Sequence, residues 1–441
     1  MKLFQQLLVA STALGLISPF AAQASDVINL DGMSSYERSK PKAKRFDHKT
    51  FVNQVNEKLA NNGSSLDNFK STPALIEAGS FSDTTTLDSK LIFSVGALDY
   101  DASSLTNSEA IQAYYSYTMN LNTSFTGDDN LYVRIKTGNT LDWMKTTTYG
   151  GYLSSAKGNG DSLKIDKIWY EFPIGERNTV WIGPKIENYY MHGTAPSIYK
   201  PVTKQFTLGG NGHAYGASTD TGIGWAYKAD NGFAVSSNIG TKSNTSCKTT
   251  AHPCGTSGSY INTGFLTDES KTSWATQIGY TQPRYSASAI VNVKSNGWSD
   301  SFFKAGDVNG DAEARSNMTS VGLRAWWRPE ETGTAAPSIS LGYDTTEYDT
   351  ASSSQDTSSA YFVGLNWVDV FQPDDKIGVA LGQPTMNESL DGVSPFAWEV
   401  YYSFKPNDSI TVTPAIFAGS DRDGTKNGDV TGAVIETTFN F

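Results

Sequence analysis

The chain has 441 residues, and its 34 Lys and Arg against 45 Asp and Glu give a net charge of −11, which argues against a nucleic-acid-binding protein with the usual basic surface. After the first two dozen positions there is no run of about 20 apolar residues, which excludes a helical membrane protein. Charged residues make up only 18% of the sequence, whereas there are 40 Gly, 22 Tyr, 21 Phe and 10 Trp. This composition is typical of an all-β protein.

Residues 1–24 have the three parts of a secretory signal peptide. Lys2 supplies the positive charge, Leu7–Ile17 form the short apolar stretch, and Ala22-Gln23-Ala24 are the small residues of a cleavage site. We therefore predict an exported protein whose mature chain begins at Ser25.

Residues 25–88 are predicted to form a periplasmic N-terminal segment and linker with one short helix. Residues 38–49 carry six Lys or Arg against a single Asp. An amphipathic helix follows, with an apolar face made of Phe51, Val52, Val55 and Leu59. Three interpretations stay open for this region: a solvated tail, electrostatic contact with peptidoglycan or another anionic wall polymer, or packing of the helix at the periplasmic mouth of the protein.

From Leu91 onward, apolar residues recur at every second position over stretches of about 8 to 12 residues, the length of a tilted strand that crosses a bilayer. One such face consists of Phe396, Trp398, Val400, Tyr402 and Phe404. The faces of this kind carry no charged residue, as contact with lipid requires. One strand, at 163–172, changes phase between Ile165 and Ile168, which predicts a β-bulge.

Sixteen strands are predicted in this way. They lie at about 90–100, 111–125, 130–138, 162–173, 178–185, 221–228, 232–240, 272–281, 285–294, 317–328, 338–345, 359–369, 376–382, 395–404, 409–418 and 430–441. Seven short connections alternate with eight long ones, as in an outer-membrane barrel with short periplasmic turns and long outer loops. The predicted fold is therefore a 16-stranded antiparallel transmembrane β-barrel over residues 89–441, in contact with outer-membrane lipid and with both ends in the periplasm.

The last predicted strand ends on an aromatic residue. Phe439 and the terminal Phe441 share one face of this strand. Such an ending resembles the signal by which bacterial outer-membrane proteins are recognised by the barrel assembly machinery.

The search for catalytic or metal-binding residues gives little. In an exported protein, Cys247 and Cys254 are predicted to form a disulfide, with a metal site including His252 as the weaker alternative. The sequence of 307–318 begins like a calcium loop but lacks the Gly and Glu that define one. Without a HExxH, GxSxG or P-loop motif, we predict neither an enzyme nor a cofactor.

The longest connection, 186–220, is the candidate pore constriction. It is aromatic and has no carboxylate between Glu187 and Asp220, so we expect it to fold into the lumen and narrow the channel, with basic strand residues beside it. The candidate constriction residues are Arg134, Lys136, Lys185, Tyr189, Tyr190, His192, Tyr199, Lys200, Lys204 and Phe206. Lys and Arg would favour anions, and aromatic faces suit sugar rings. Alternatively, these residues only pack the loop against the wall.

Four segments carry a resemblance to a known family: Gly183–Tyr190 with the run to Lys200-Pro201, Leu121–Gly127 and Val133–Gly138. They are similar to the cyanobacterial branch of the carbohydrate-selective porin family, and the similarity extends from about residue 85 to Phe441. The resemblance implies a 16-stranded barrel, a homotrimer and passive diffusion of small solutes. Members of that branch are thought to pass mainly inorganic ions.

The branch commonly carries an S-layer homology domain before the barrel, which binds a peptidoglycan-linked polymer. Residues 25–85 are too short for this domain and lack its pattern, so the basic segment is the candidate substitute. We therefore predict an outer-membrane porin for small hydrophilic solutes. Inorganic ions are the first candidate solutes, and sugars are the second. The alternatives are a secreted carbohydrate-binding β-sandwich and an outer-membrane barrel hydrolase.

Overall fold

The described part of the chain begins at residue 84. The computed structural model describes residues 84–101, 110–146, 150–216, 220–243, 264, 265, 267, 270–298, 317–349, 357–387, 393–422 and 428–441. The signal peptide, the basic segment, the helix after it, the cysteine pair and the calcium-like sequence lie outside the described residues. The chain divides into two compact units, and one of them is the barrel. Of the other unit, the structure describes only Thr126–Asp128, which form a bend.

The barrel has sixteen strands within its described residues, and they match the sixteen predicted ones to within a few residues at each end. They are β1 (Thr85–Tyr100), β2 (Gln112–Thr123), β3 (Asn130–Gly138), β4 (Lys164–Ile174), β5 (Asn178–Ile186), β6 (Asp220–Lys228), β7 (Phe233–Lys242), β8 (Lys271–Thr281), β9 (Tyr285–Ser295), β10 (Asn317–Trp327), β11 (Ser338–Asp349), β12 (Thr357–Val368), β13 (Lys376–Asn387), β14 (Phe396–Asn407), β15 (Ile410–Ser420) and β16 (Val430–Asn440).

Each strand pairs antiparallel with its neighbours in sequence, and the first strand closes the ring by pairing with the last. The register of this closing pair runs from Lys90 opposite Asn440 to Tyr100 opposite Val430. Closure leaves no unpaired sheet edge, which is the condition for a β structure in lipid. The prediction of a 16-stranded antiparallel barrel is confirmed, and the alternative of a β-sandwich is wrong because all strands belong to one closed sheet.

The outward face of the barrel is apolar, as the two-residue period predicted. Leu323 is 51% exposed and Trp274 is 55% exposed, although both are large apolar side chains. Between two outward residues, Arg324 points inward and is 3% exposed. Water would disfavour this outer surface, whereas hydrocarbon would not. Among the described residues, no helix combines the length and the apolar character needed to cross a membrane.

The short turns lie together at one end of the barrel, and exposed ion pairs join neighbouring turns. Arg177 pairs with Asp230, Arg284 with Glu330, and Lys405 with Asp374. These pairs are solvent-exposed, so each contributes at most about 1 kcal/mol. They connect three couples of adjacent hairpins along the rim at the end where β1 begins and β16 ends.

The predicted bulge in β4 is confirmed. Arg134 of β3 lies opposite Lys167, but the next residue, Ile135, lies opposite Ile165, so Asp166 is the extra residue. A bulge sets two successive residues against one on the partner strand and re-aims their side chains. As a result, the neighbouring Asp166 and Lys167 both form ion pairs on the inner side of the wall.

The barrel encloses a hydrophobic cluster of its own. Side chains from two connections, 139–163 and 186–220, pack there against inward residues of the wall. The buried members include Trp143, Met144, Leu153, Tyr199, Val202, Phe206, Phe362 and Phe417. Burial of apolar surface stabilises these two connections inside the lumen.

Candidate pore constriction

Connection 186–220 lies inside the barrel, where the inward side chains of β7–β14 bind its backbone. We call this set of inward faces the docking wall. Gln277 accepts a hydrogen bond from the Thr194 backbone N–H at 2.9 Å and donates to the Thr194 carbonyl at 3.0 Å. Asn292 donates to the carbonyl of Ala214 at 3.1 Å. These bonds satisfy backbone groups of the loop that would otherwise be buried without partners.

Glu399 of β14 is the strongest single anchor of the loop on the docking wall. Its side chain is fully buried, with 0% exposure. The carboxylate accepts hydrogen bonds from the Tyr199 hydroxyl at 2.9 Å and from the backbone N–H groups of Val202 and Thr203 at 3.1 and 2.8 Å. The Thr203 hydroxyl also donates to it. Four donors on one carboxylate fix the middle of the loop against the wall.

A buried ion pair holds the next part of the loop. Arg324 of β10 lies 2.6 Å from Asp344 of β11, and both side chains are almost completely buried. The Arg324 guanidinium also donates to the carbonyl of Leu208 at 2.8 Å and lies over the ring of Tyr215, 4.6 Å from its centre. A Cβ atom at position Gly212 would overlap the Asp344 side chain, so the loop can approach this pair only with glycine there.

The second connection in the lumen, 139–163, pairs with the first. Leu153 and Thr203 form an isolated antiparallel bridge. The N–H of Ser154 donates to the carbonyl of Val202 at 2.8 Å, and the N–H of Lys204 donates to the carbonyl of Tyr152 at 2.7 Å. The two loops therefore form one unit inside the barrel, which the sequence analysis did not predict. The apolar residues of the cluster, in a connection otherwise rich in Gly and Ser, are the signal that was available.

Beside these loops, the inward faces of β1–β3 line an open space, and we call these faces the channel wall. The cavity has a volume of about 600 Å³. Its lining residues are Asp88, Ser89, Lys90, Ile92, Ser116, Thr118, Asn120, Tyr132, Arg134, Lys136, Ser154, Ser155, Tyr190, Asn440 and Phe441. Polar and charged side chains thus predominate on the side of the lumen that the loops leave open.

Charged side chains form two groups beside this cavity. Asp166 is shared by Arg134, whose Nε lies 2.7 Å away, and Lys157, whose Nζ lies 2.6 Å away. Lys167 and Glu187 form a second ion pair. Since the bulge turns both Asp166 and Lys167 inward, it brings opposite charges side by side at this level of the lumen.

Four aromatic rings continue from the channel wall to the loop. Tyr132 packs on Trp169 at 4.2 Å between ring centres, and Trp169 packs on Tyr190 at 4.7 Å. Tyr190 packs on Tyr189 at 4.6 Å, and the Lys167 ammonium lies 4.4 Å from the centre of the Tyr190 ring. This aromatic row joins β3 and β4 to the first turn of the loop, Asn188–Met191.

The structure brings only some of the predicted constriction residues together. Arg134, Lys136 and Tyr190 line the cavity, and Tyr189 and Lys204 lie next to them. By contrast, His192, Tyr199 and Phe206 are buried against the docking wall, where they pack the loop. Lys185 donates to the carbonyl of Ile165, and Lys200 lines a separate space of about 310 Å³.

The environment of the loop shifts the pKa of several of its titratable groups, among them His192, Tyr199 and Lys204. Burial lowers the pKa of His192 to about 3, so its ring is neutral at physiological pH. Burial and the Glu399 carboxylate raise the pKa of the Tyr199 hydroxyl, which stays protonated and donates. Burial, followed by the positive charge of Arg134, lowers the pKa of Lys204.

The C-terminal residues close the barrel near the same cavity. Phe439 packs edge-to-face on Phe93 at 5.3 Å, and Phe441 stacks on Tyr117 at 6.2 Å. The backbone N–H and carbonyl of Phe441 both bond to Ser89. Within the described ranges, no three His, Cys, Asp or Glu side chains come together as a metal site would require.

Comparison with known proteins is consistent in fold and family. The model of the family described as "Carbohydrate-selective porin, OprB family" matches residues 77–441. Among known structures, Pseudomonas putida OprB is 13% identical with a TM-score of 0.56, over 81% of this chain and 94% of that one. An anion-selective porin from Comamonas acidovorans is 10% identical with a TM-score of 0.52, over 81% and 99%. Salmonella typhi OmpF, in complex with daunomycin, is 11% identical with a TM-score of 0.51, over 81% and 97%. No curated protein matches the sequence.

Proposed function

The chain belongs to the carbohydrate-selective porin family, and from this premise we propose that small hydrophilic solutes cross the outer membrane by passive diffusion along its channel wall. The barrel supplies the lipid-facing surface, and the two lumen loops set the width of the path. Since no step of such a path consumes energy, the direction of flow follows the concentration gradient of the solute.

The single observation that carries this proposal is that loop 186–220 covers one side of the inner barrel surface and leaves the other side open. On the docking wall, inward polar groups are hydrogen-bonded to loop 186–220, as Gln277 and Glu399 are. On the channel wall, Arg134 and Lys136 line an open cavity instead. A water-filled path lined by polar side chains is what diffusion of hydrophilic solutes requires.

We propose that this path favours anions among inorganic ions. Arg134, Lys136 and Lys204 place positive charge next to the cavity, and lysine and arginine groups in a pore favour anions. The aromatic row from Tyr132 to Tyr189 offers ring faces for sugars, in keeping with the family description. Inorganic ions and sugars would then share one route.

Planar-bilayer recording of the purified protein tests the function directly. We expect stepwise insertion of ohmic channels in KCl, and partial block of the current by added sugars if sugars use the same route. Protein that migrates as a folded barrel in unheated gels and inserts into the bilayer without conductance would contradict the proposal. It would leave a barrel hydrolase as the better interpretation.

The other proposals concern partners. Since β1 begins at Thr85, we propose that residues 25–84 lie in the periplasm, that the basic segment 38–49 binds an anionic wall polymer, and that the barrel assembles as a homotrimer. The net positive charge of 38–49 in an otherwise acidic chain supports the second proposal. Co-sedimentation with peptidoglycan should weaken when the lysines of this segment are changed to Gln, and cross-linking in outer membranes should give a trimer band.

A further inference from the structure

The charges near the cavity are not balanced within the described residues. Asp166 is the only carboxylate within ion-pair distance of Arg134 and Lys157, and it serves both. Among the residues that the structure describes, the Lys136 ammonium has one hydrogen-bond partner, the carbonyl of Ser155 at 3.4 Å. Lys204 adds a fourth cation, and its side chain has no carboxylate within ion-pair distance among the residues that the structure places.

The other acidic groups of this region are already engaged. Glu187 pairs with Lys167, and Glu436 of β16 accepts hydrogen bonds from the hydroxyls of Ser94 and Ser155. Asp88, the one carboxylate that lines the cavity, accepts from Asn120 at 2.6 Å. Hydrogen bonds from neutral groups leave Glu436 and Asp88 charged, so four carboxylates, counting Asp166, face six cations among the described residues. These cations are Lys90, Arg134, Lys136, Lys157, Lys167 and Lys204, and the excess is two positive charges.

The excess is costly, because Lys136 and Lys204 have lost part of their hydration without an ion-pair partner among the described residues. Burial, followed by the positive charge of Arg134, lowers the pKa of Lys204, in keeping with this cost. The cost falls if an anion from solution binds between the cations. Arg134 and Lys136 line the cavity, so such an anion has access to them.

We propose that Arg134 and Lys136, with Lys204 behind them, bind a small divalent oxyanion with the charge and shape of phosphate. Two or more adjacent cations match two negative charges better than the single charge of chloride, and the planar guanidinium of Arg134 suits an oxyanion with several acceptor oxygens. The site rests on the proposed function, since the same cations are proposed to favour anions in the channel. It adds a binding step to that function: the oxyanion occupies the path and slows the flow of chloride.

Chloride current through single channels, titrated with inorganic phosphate, tests this site. We expect phosphate to reduce the current with half-inhibition at about millimolar concentration, an affinity suited to a solute that must also leave. Nitrate, an anion with one charge, should not inhibit. The double variant Lys136→Met with Lys204→Met should need about fiftyfold more phosphate, since each lysine charge at about 7 Å in water accounts for about sevenfold in affinity for a doubly charged anion.

Two further variants make the result specific. Lys136→Arg with Lys204→Arg keeps the charges and should keep the inhibition. Lys200→Met with Lys376→Met removes two cations that line the separate space. Phosphate should inhibit the current through this variant as it does in the wild type. Each variant must first migrate as a folded barrel in unheated gels, so that loss of inhibition is not loss of folding.

The outcomes separate this inference from the proposed function. Anion preference in KCl without inhibition by phosphate would overturn the oxyanion site and leave the porin assignment intact. Inhibition that survives the double methionine variant unchanged would place the site elsewhere and also overturn it. A cation preference in KCl together with no inhibition would overturn both the site and the proposed charge preference.

Discussion

The docking wall and the channel wall are built from the same alternation of inward and outward residues, yet their inward groups have different fates. On β7–β14, the polar side chains are covered by loop 186–220, and Glu399 alone receives four hydrogen bonds from it. On β1–β3, inward side chains such as Lys136 face the cavity. An inward polar residue in such a barrel therefore does not by itself indicate a pore-lining residue. Its role depends on where the loops lie.

The largest effect is expected at the buried ion pair of the docking wall. Arg324→Met leaves Asp344 buried without its partner, so we expect the free energy of unfolding to fall by about 3–5 kcal/mol. Urea unfolding in detergent, followed by gel migration, measures this change. The matched control is Arg284→Met, which breaks the exposed pair with Glu330 and should cost at most about 1 kcal/mol. An equal fall in the free energy of unfolding in the two variants would contradict the expected difference between the buried ion pair and the exposed one.

The next effect concerns the carboxylate anchor. Glu399→Gln replaces one acceptor oxygen by a donor group facing the N–H groups and hydroxyls of the loop, so we expect a loss of about 1–3 kcal/mol. The loop should also become mobile, which single-channel recording would register as additional conductance levels. Glu331→Gln, at an exposed turn residue, is the control. A quiet, unchanged channel in the Glu399 variant would mean that the loop does not need this anchor.

A smaller effect is expected from removing charge on the channel wall. Lys136→Met deletes a cation that lines the cavity. At about 7 Å in water a unit charge contributes about 0.6 kcal/mol, so the anion-to-cation permeability ratio should fall about threefold. Lys200→Met should leave the ratio unchanged, because this residue lines the separate space. The reversal potential in a KCl gradient distinguishes the two.

Removing the shared carboxylate should act in the opposite direction. Asp166→Asn leaves the charges of Arg134 and Lys157 unmatched, so the anion preference should rise, by up to about threefold on the same estimate. The same reversal-potential measurement applies. If the ratio falls instead, the carboxylate acts by positioning Arg134 rather than by neutralising it.

The smallest effect is a dependence of the anion preference on pH. Lys204 faces Arg134 and Asp166, and burial with Arg134 lowers its pKa from the usual 10.5. Because a lysine is charged below its pKa, the anion preference should decline as pH rises, at a lower pH than an ordinary lysine would give. In Lys204→Met this decline should be smaller than in the wild type. His192, with a pKa of about 3, should add no change between pH 5 and 8.

Much of the fold follows from short-range sequence patterns. The two-residue period predicted the strands, since it reports which face meets lipid. The alternation of short and long connections predicted that the short turns lie at one end of the barrel and the long loops at the other. The bulge in β4 was visible as a phase change between Ile165 and Ile168. Its consequence was not, because only the three-dimensional register shows that Asp166 and Lys167 both turn inward.

The site was harder to predict, because it depends on contacts between distant parts of the chain. Glu399 lies about 200 positions from the loop that it anchors, and its sequence context is that of any inward strand residue. The composition of the loop led to the prediction of both Lys204, which lies near Lys136, and Phe206, which is buried, as constriction residues. Composition cannot distinguish a residue beside the cavity from one against the docking wall. Lys185 was included because of its position in the strand order, and its side chain bonds to the backbone of β4 instead.

The reversal potential of the unmodified protein in a KCl gradient tests the central claim most directly, namely that the channel wall carries the solute path and that its cations set the preference. Because Arg134, Lys136 and Lys204 are cations, we predict a reversal potential with the sign of a channel that conducts chloride better than potassium. A potential of the opposite sign, set by potassium, would contradict the assignment of the path to the channel wall, although the barrel and its anchored loops would stand.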